Sequence, residues 1–84
     1  MRKDRARIAK AFGVALRQAR LHAELAQEAL ALRAEVDRTF VSRAERGERQ
    51  PALTTVFLLA KALNVSASQL VERTQEALKR QKGP

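Results

Sequence analysis

Apolar residues recur three and four apart in five separate stretches of this chain, with polar breaks between them. That spacing predicts helices, not strands. The first predicted helix runs from about Ile8 to His22, with Ile8, Phe12, Leu16 and Ala19 on one face and Gly13 placed for close approach of a neighbour. A second spans Gln27 to Ala34 and buries Leu30, Ala31 and Ala34. The run Glu35, Val36, Asp37 breaks the pattern, and Asp37 is expected to cap the next helix with its carboxylate. The third helix covers Arg38 to Arg46, with Gly47 just past its end, where a left-handed residue is usual. The fourth runs from Leu53 to Leu63, with Leu53, Val56, Phe57, Ala60 and Leu63 as its expected buried stripe and Asn64 as its C-cap. Ser66 followed by Gln69 is a capping-box pattern, opening a fifth helix that carries Leu70, Val71, Thr74, Ala77 and Leu78 on one side and ends near Arg80. The charged run MRKDRAR over 1–7 reads as a basic arm or frayed helix start, and 81–84 as a tail, with fraying expected from Lys79 onward.

The third helix carries the chemistry. At 100° per residue, Arg38, Thr39, Ser42, Arg43 and Arg46 fall within an arc of roughly 140°, with Phe40, Val41 and Ala44 opposite. One side can pack on a core while the other presents three guanidinium groups and two hydroxyls. Arg can grip guanine O6 and N7 with two parallel bonds, and Ser and Thr can meet base edges or phosphates. An Arg-rich face on a short helix is often only solvated surface. The layout tips the balance: short helix, three-residue break, basic helix, then Gly47 and Pro51. Two helices joined by a short turn, the second reading a groove, is the helix-turn-helix arrangement.

Leu25, Gln27, Glu28, Leu30, Ala31, Val36, Arg38, Val41, Ser42, Arg43, Glu45, Arg46, Gly47, Pro51 and Leu53 together resemble the Cro/C1-type (XRE) helix-turn-helix family. The continuation AKALNVSASQL over 60–70 matches the family's next two helices, so the resemblance covers about Phe12 to Val71. It implies an all-α fold, a compact five-helix bundle of the lambda-repressor-like kind. It also implies that Arg20 pairs with Glu45, fixing how the third helix leaves the core, and that Gln27 bonds a phosphate and braces the third helix. Arg49 and Gln50, in the loop GERQPA, and Thr54 are read as further phosphate contacts, with Thr55 beside it. Four positions depart from the family pattern. Ala26 replaces a capping Ser, at a typical cost of ~1 kcal/mol. Glu24 and Glu35 stand where glycines are common, and a left-handed Glu35 costs on the order of 1–2 kcal/mol. Ala44 replaces a larger aliphatic residue under the third helix.

Length and charge bound the rest. Eighty-four residues make one domain, with the helix-turn-helix at 25–47 and a dimerisation helix expected at 66–80. A domain this small buries only about 60% of its unfolded surface. With no cysteine it has neither a disulfide nor a thiolate metal site, and lone His22 is a poor candidate ligand. The net charge of +8, from 17 Lys and Arg against 9 Asp and Glu, suggests a polyanionic partner. Three Phe are the only aromatics and do not interleave with basic residues, which argues against a base-stacking single-strand or RNA platform. No segment combines a basic face with the rich apolar face of an interfacial membrane helix, and no signal peptide is evident, so a cytoplasmic location is expected. No nucleophile–base pair, carboxylate dyad or phosphate-cradling Gly-rich loop is present, so an enzyme is not expected. Neither is a cofactor or small-molecule ligand.

The resulting expectation is a sequence-specific regulator of transcription, most simply a repressor, that binds a double-stranded DNA operator as a homodimer. Arg38, Thr39 and Arg43 are expected on bases, with Ser42 and Arg46 on bases or phosphates. Family members of this size occur in phages, on plasmids and with restriction–modification systems. A restriction–modification controller or an antitoxin therefore fits the same residues. From another class, a protein-interaction module docking through the fifth helix would keep its function after Arg43→Ala, whereas a DNA reader would not.

Overall fold

The computed structural model describes residues 2–81. Five helices follow one another: α1 Arg2–His22, α2 Gln27–Ala34, α3 Arg38–Glu45, α4 Leu53–Ala62 and α5 Ala67–Arg80. The first helix starts six residues earlier than its apolar spacing predicts. Arg2 to Arg7 continue the helix and do not form an arm; Met1 lies outside the described residues. The extension is held from the far end of the chain. Arg7 Nε donates to Gln81 Oε1 at 3.1 Å, and Gln81 Nε2 donates back to the Arg7 carbonyl at 2.8 Å. Gln81 is thus docked on α1, and α5 is helical through Lys79 and Arg80, where fraying was expected. The remainder of the expected tail, 82–84, lies outside the described residues.

At about 1.5 Å per residue the 21 residues of α1 span roughly 30 Å, which sets the long axis of a body 36 × 21 × 20 Å in extent. The other helices wrap around it: α1 packs on α5 and α3, α2 on α3 and α4, and α4 on α5. Leu16, Leu30, Val41, Leu59 and Leu70 are fully enclosed at the centre, with Phe12, Val56 and Leu63 around them.

Four helices end in the same way. The residue after each last turn is left-handed: Glu24 (φ 57°), Glu35 (φ 59°), Gly47 (φ 76°) and Asn64 (φ 61°). The following amide then reaches back five residues, from Leu25 to Arg20, Val36 to Ala31, Glu48 to Arg43 and Val65 to Ala60, at 2.9–3.1 Å. This closure satisfies carbonyls that would otherwise be orphaned and turns the chain sharply enough for the next helix to fold back. Glycine pays no Cβ penalty there and Asn little, but the two glutamates carry it.

Helix starts are less regular. Ser66 and Gln69 form the reciprocal capping box that the sequence predicts. Asp37 takes the extended N-cap conformation, yet its side chain accepts no bond from α3, so the expected carboxylate cap is not made. Ala26 and Ala52 likewise leave α2 and α4 without side-chain caps.

The largest correction concerns α4. Val56, Ala60 and Leu63 are buried as expected, but Leu59 joins them, while Leu53 and Phe57 stand 69% and 58% exposed. Thr54 and Lys61 mark the outward side, and Leu53 and Phe57 fall on the flank between it and the buried stripe, where apolar spacing alone reads them as inward. On α5, Leu70 and Thr74 are buried and Val71 is 48% exposed. Ile8 on α1 is also exposed.

Candidate nucleic-acid interface

The outward face of α3 depends on what fixes its inward face. Val41 and Ala44 are fully buried. Gly13 on α1 faces the end of α3 so closely that a Cβ there would lie 2.5 Å from the carbonyl oxygens of both Ala44 and Glu45. The small Ala44, which in isolation looks like weakened packing, lies on the α3 side of this close contact. The Cα of Lys10 would similarly sit 2.9 Å from a Cβ on Gly47, where positive φ already favours glycine.

A clamp at the end of α3 joins three helices. Arg20 Nε donates to Glu45 Oε2 at 2.6 Å and Arg20 Nη2 to Glu45 Oε1 at 3.0 Å, a two-bonded fork with side chains only 10% and 4% exposed. The same guanidinium donates through Nη1 to the Leu25 carbonyl at 2.8 Å, and Gln27 Nε2 donates to Glu45 Oε1 at 3.1 Å. One carboxylate therefore ties the end of α1, the start of α2 and the end of α3. The hydrogen bond with Glu45 is the main reason that the Arg20 guanidinium is held above its ordinary pKa, against the opposing pull of burial. Desolvation offsets much of the attraction between these nearly buried charges, so the intact pair fixes geometry more than it adds stability, while removing either member would strand the other.

Arg38, Thr39 and Arg43 are exposed on the outward face, and Ser42 is half-buried. Among the described residues, neither Arg38 nor Arg43 has a carboxylate within ion-pair distance. Arg46 differs. It lies just past the end of α3, donating Nε and Nη2 to Glu48 Oε2 and Oε1 at 3.0 and 3.2 Å and Nη1 to Ser42 Oγ at 2.6 Å. These bonds hold the Glu48 carboxyl below its ordinary pKa and raise that of Arg46. The structure thus brings Ser42 and Arg46 together and leaves Arg38, Thr39 and Arg43 free of them. Glu48 is a participant the sequence reading passed over; its only signal was an acid two residues after a candidate contact.

The loop after α3 continues the surface. The Arg49 guanidinium lies 5.6 Å from the centre of the Phe40 ring, a cation–π placement that orders a long side chain beside α3. Gln50 is exposed, its amide 3.5 Å from the Pro51 carbonyl, and Pro51 is buried beneath the loop. Thr54 is exposed in the first turn of α4, and Thr55 is partly covered. The uncapped starts of α2 and α4 leave first-turn amides unused by their own N-cap side chains. Such amides suit a phosphate oxygen. Gln27 has committed its amide nitrogen to Glu45, leaving its carbonyl oxygen and remaining N–H.

A second surface lies across α4 and α5. Leu53, Phe57, Ala67 and Val71 line a shallow groove of about 630 Å³, rimmed by Ser68, Glu72 and Gln75. Among the described residues, no three His, Cys, Asp or Glu side chains converge as a metal site would need, and no single helix is long and apolar enough to cross a membrane.

Comparison with known proteins adds an independent line. The family model described as Helix-turn-helix (HTH_3) matches residues 16–70. Control protein C.SmaI of Serratia marcescens is 42% identical over 59 residues, 70% of this chain and 68% of that protein. The restriction–modification controller C.AhdI of Aeromonas hydrophila is similar in structure, with a TM-score of 0.72 and 37% identity over 74% of this chain and 94% of that one. The controller C.Esp1396I, solved as a tetramer with its natural 35 base-pair operator, superposes with a TM-score of 0.79 at 26% identity, covering 87% of this chain and 96% of that one.

Proposed function

This chain belongs to the Cro/C1-type helix-turn-helix family, and from that premise we propose that it is a sequence-specific, duplex-DNA-binding transcriptional regulator of the restriction–modification controller kind. The carrying observation is the outward face of α3, where Arg38 and Arg43 are exposed with no carboxylate of the described residues within ion-pair distance. The Arg20–Glu45–Gln27 clamp holds that helix in place. Two free guanidinium forks on a rigid helix suit guanine edges in a major groove. The controller reading is preferred over a stand-alone phage or plasmid repressor because both C.SmaI and C.AhdI are control proteins.

Arg38, Thr39 and Arg43 contact bases in this reading, and Ser42 and Arg46 lie along the same groove. Gln27, Arg49, Gln50 and Thr54 meet phosphates, positioning the protein without carrying sequence information themselves. The protein works in the cytoplasm as a homodimer. Leu53, Phe57 and Val71, whose exposure a monomer does not explain, form the face between the two copies. A two-fold dimer sets its α3 helices into successive major grooves, roughly 34 Å apart, on a palindromic operator.

The test is a fluorescence-anisotropy titration of the duplex upstream of the protein's own gene against a shuffled duplex of equal composition. Salt is varied from about 50 to 200 mM. An affinity excess of ~10³ or more that survives physiological salt is the expected result. Equal affinities that collapse together with salt would contradict an autoregulating operator binder.

A further inference from the structure

The Arg46–Glu48–Ser42 cluster has a geometry that the proposed function does not by itself require. A guanidinium carries five N–H groups. Here three are used, Nε and one of Nη2 by Glu48 and one of Nη1 by Ser42, which leaves one N–H on each terminal nitrogen. The paired bonds to Glu48 take up the Nε side of the guanidinium, so the donors still open lie on its terminal nitrogens, the end from which guanine O6 and N7 can be gripped. The side chain is also fixed from both flanks: by the helix through Ser42 and by the loop through Glu48.

We propose that Glu48 is a specificity-determining positioning residue, which holds Arg46 end-on toward a base pair and keeps it from swinging to the phosphate backbone. An unheld arginine at the edge of a groove finds phosphate oxygens readily, and such contacts strengthen binding to every sequence alike. A carboxylate that occupies the Nε side of the fork blocks the side-on two-bonded phosphate grip and pre-orders the remaining donors, so less side-chain freedom is lost on binding. In the free protein both side chains are 55% exposed, so the pair contributes little to folding. Its effect grows when DNA displaces the surrounding water and lowers the local dielectric. The turn at Gly47 (φ 76°) enables the contact, because it folds the chain so that residues 46 and 48 face each other across the helix end.

This inference rests on the DNA-binding reading, and the experiment separates the two. Wild type, Glu48→Gln, Glu48→Asp and Arg46→Lys are each used to select from a random duplex library about two helical turns long. The selected duplex and a shuffled one are then titrated. Wild type should enrich a two-fold symmetric motif. Glu48→Gln and Glu48→Asp should both lose preference at one base pair per half-site, the same one that Arg46→Lys loses, by about tenfold. Glu48→Gln should also bind the shuffled duplex more tightly, with a salt slope steeper by about one. Asp keeps the charge but is one carbon too short for the paired bonds. If Glu48→Asp retains the wild-type preference, charge alone suffices and the positioning account is overturned. It is overturned equally if both Glu48 variants return the wild-type motif. A wild-type protein that enriches no motif would instead sink the DNA-binding reading itself.

Discussion

Arg43 stands on the outward face of α3, two residues before Glu45 of the clamp, with no carboxylate within ion-pair distance among the described residues. Its truncation to Ala should therefore leave the fold intact and cost about 1–3 kcal/mol of operator binding, with relaxed preference at one base pair. Titrating operators varied at each position checks this; an even loss across all of them would make Arg43 a phosphate contact. Glu35 makes the opposite kind of prediction. It holds a left-handed backbone that disfavours any Cβ, so Glu35→Gly should raise the unfolding free energy by about 1 kcal/mol in urea denaturation. At this scale the sequence was legible where a resemblance named both members of a contact, as for Arg20 and Glu45. It was silent on Glu48, because a pairing two residues apart depends on the turn at Gly47, and helical spacing places such residues on different sides.

Helix existence and order could be read from apolar spacing alone, since five amphipathic stretches punctuated by turn residues leave little choice. Helix ends and faces were harder. The extension of α1 to Arg2 is secured by Gln81, a contact 74 residues away in sequence that no local pattern reveals. On α4, Leu53 and Phe57 lie on the flank between the buried stripe and the outward side marked by Thr54 and Lys61, where apolar spacing reads them as inward although they are exposed. That ambiguity has a physical origin: the helix has two surfaces to cover, one in the core and one on the proposed partner copy. The contact between α1 and α3 is the tightest test of packing at this scale. Gly13→Ala would drive a methyl group into two backbone carbonyls that cannot move independently of the Arg20–Glu45 clamp. It should cost about 1–3 kcal/mol and lower the melting temperature by several degrees in a calorimetric scan. An unchanged melt would show that α1 and α3 can separate at no cost.

For the whole molecule, charge and apolar surface pull in different directions. A net charge of +8 on a chain this small draws it to a polyanion but opposes its own self-association. A homodimer must therefore gain its affinity from apolar surface, and the proposed face is the groove of Leu53, Phe57, Ala67 and Val71. Phe57→Glu should leave the monomer folded, since the side chain is exposed, while shifting sedimentation velocity to the monomer and weakening operator binding. A variant that still sediments as a dimer would place the interface elsewhere.

The most direct measurement is a hydroxyl-radical footprint on the operator selected by the wild-type protein. Protected backbone tracts related by two-fold symmetry are expected on one face of the duplex, with half-site centres about one helical turn apart, and Arg43→Ala should lose that pattern. Protection that ignores the selected sequence, or a pattern unchanged by Arg43→Ala, would contradict a dimer that reads DNA through α3.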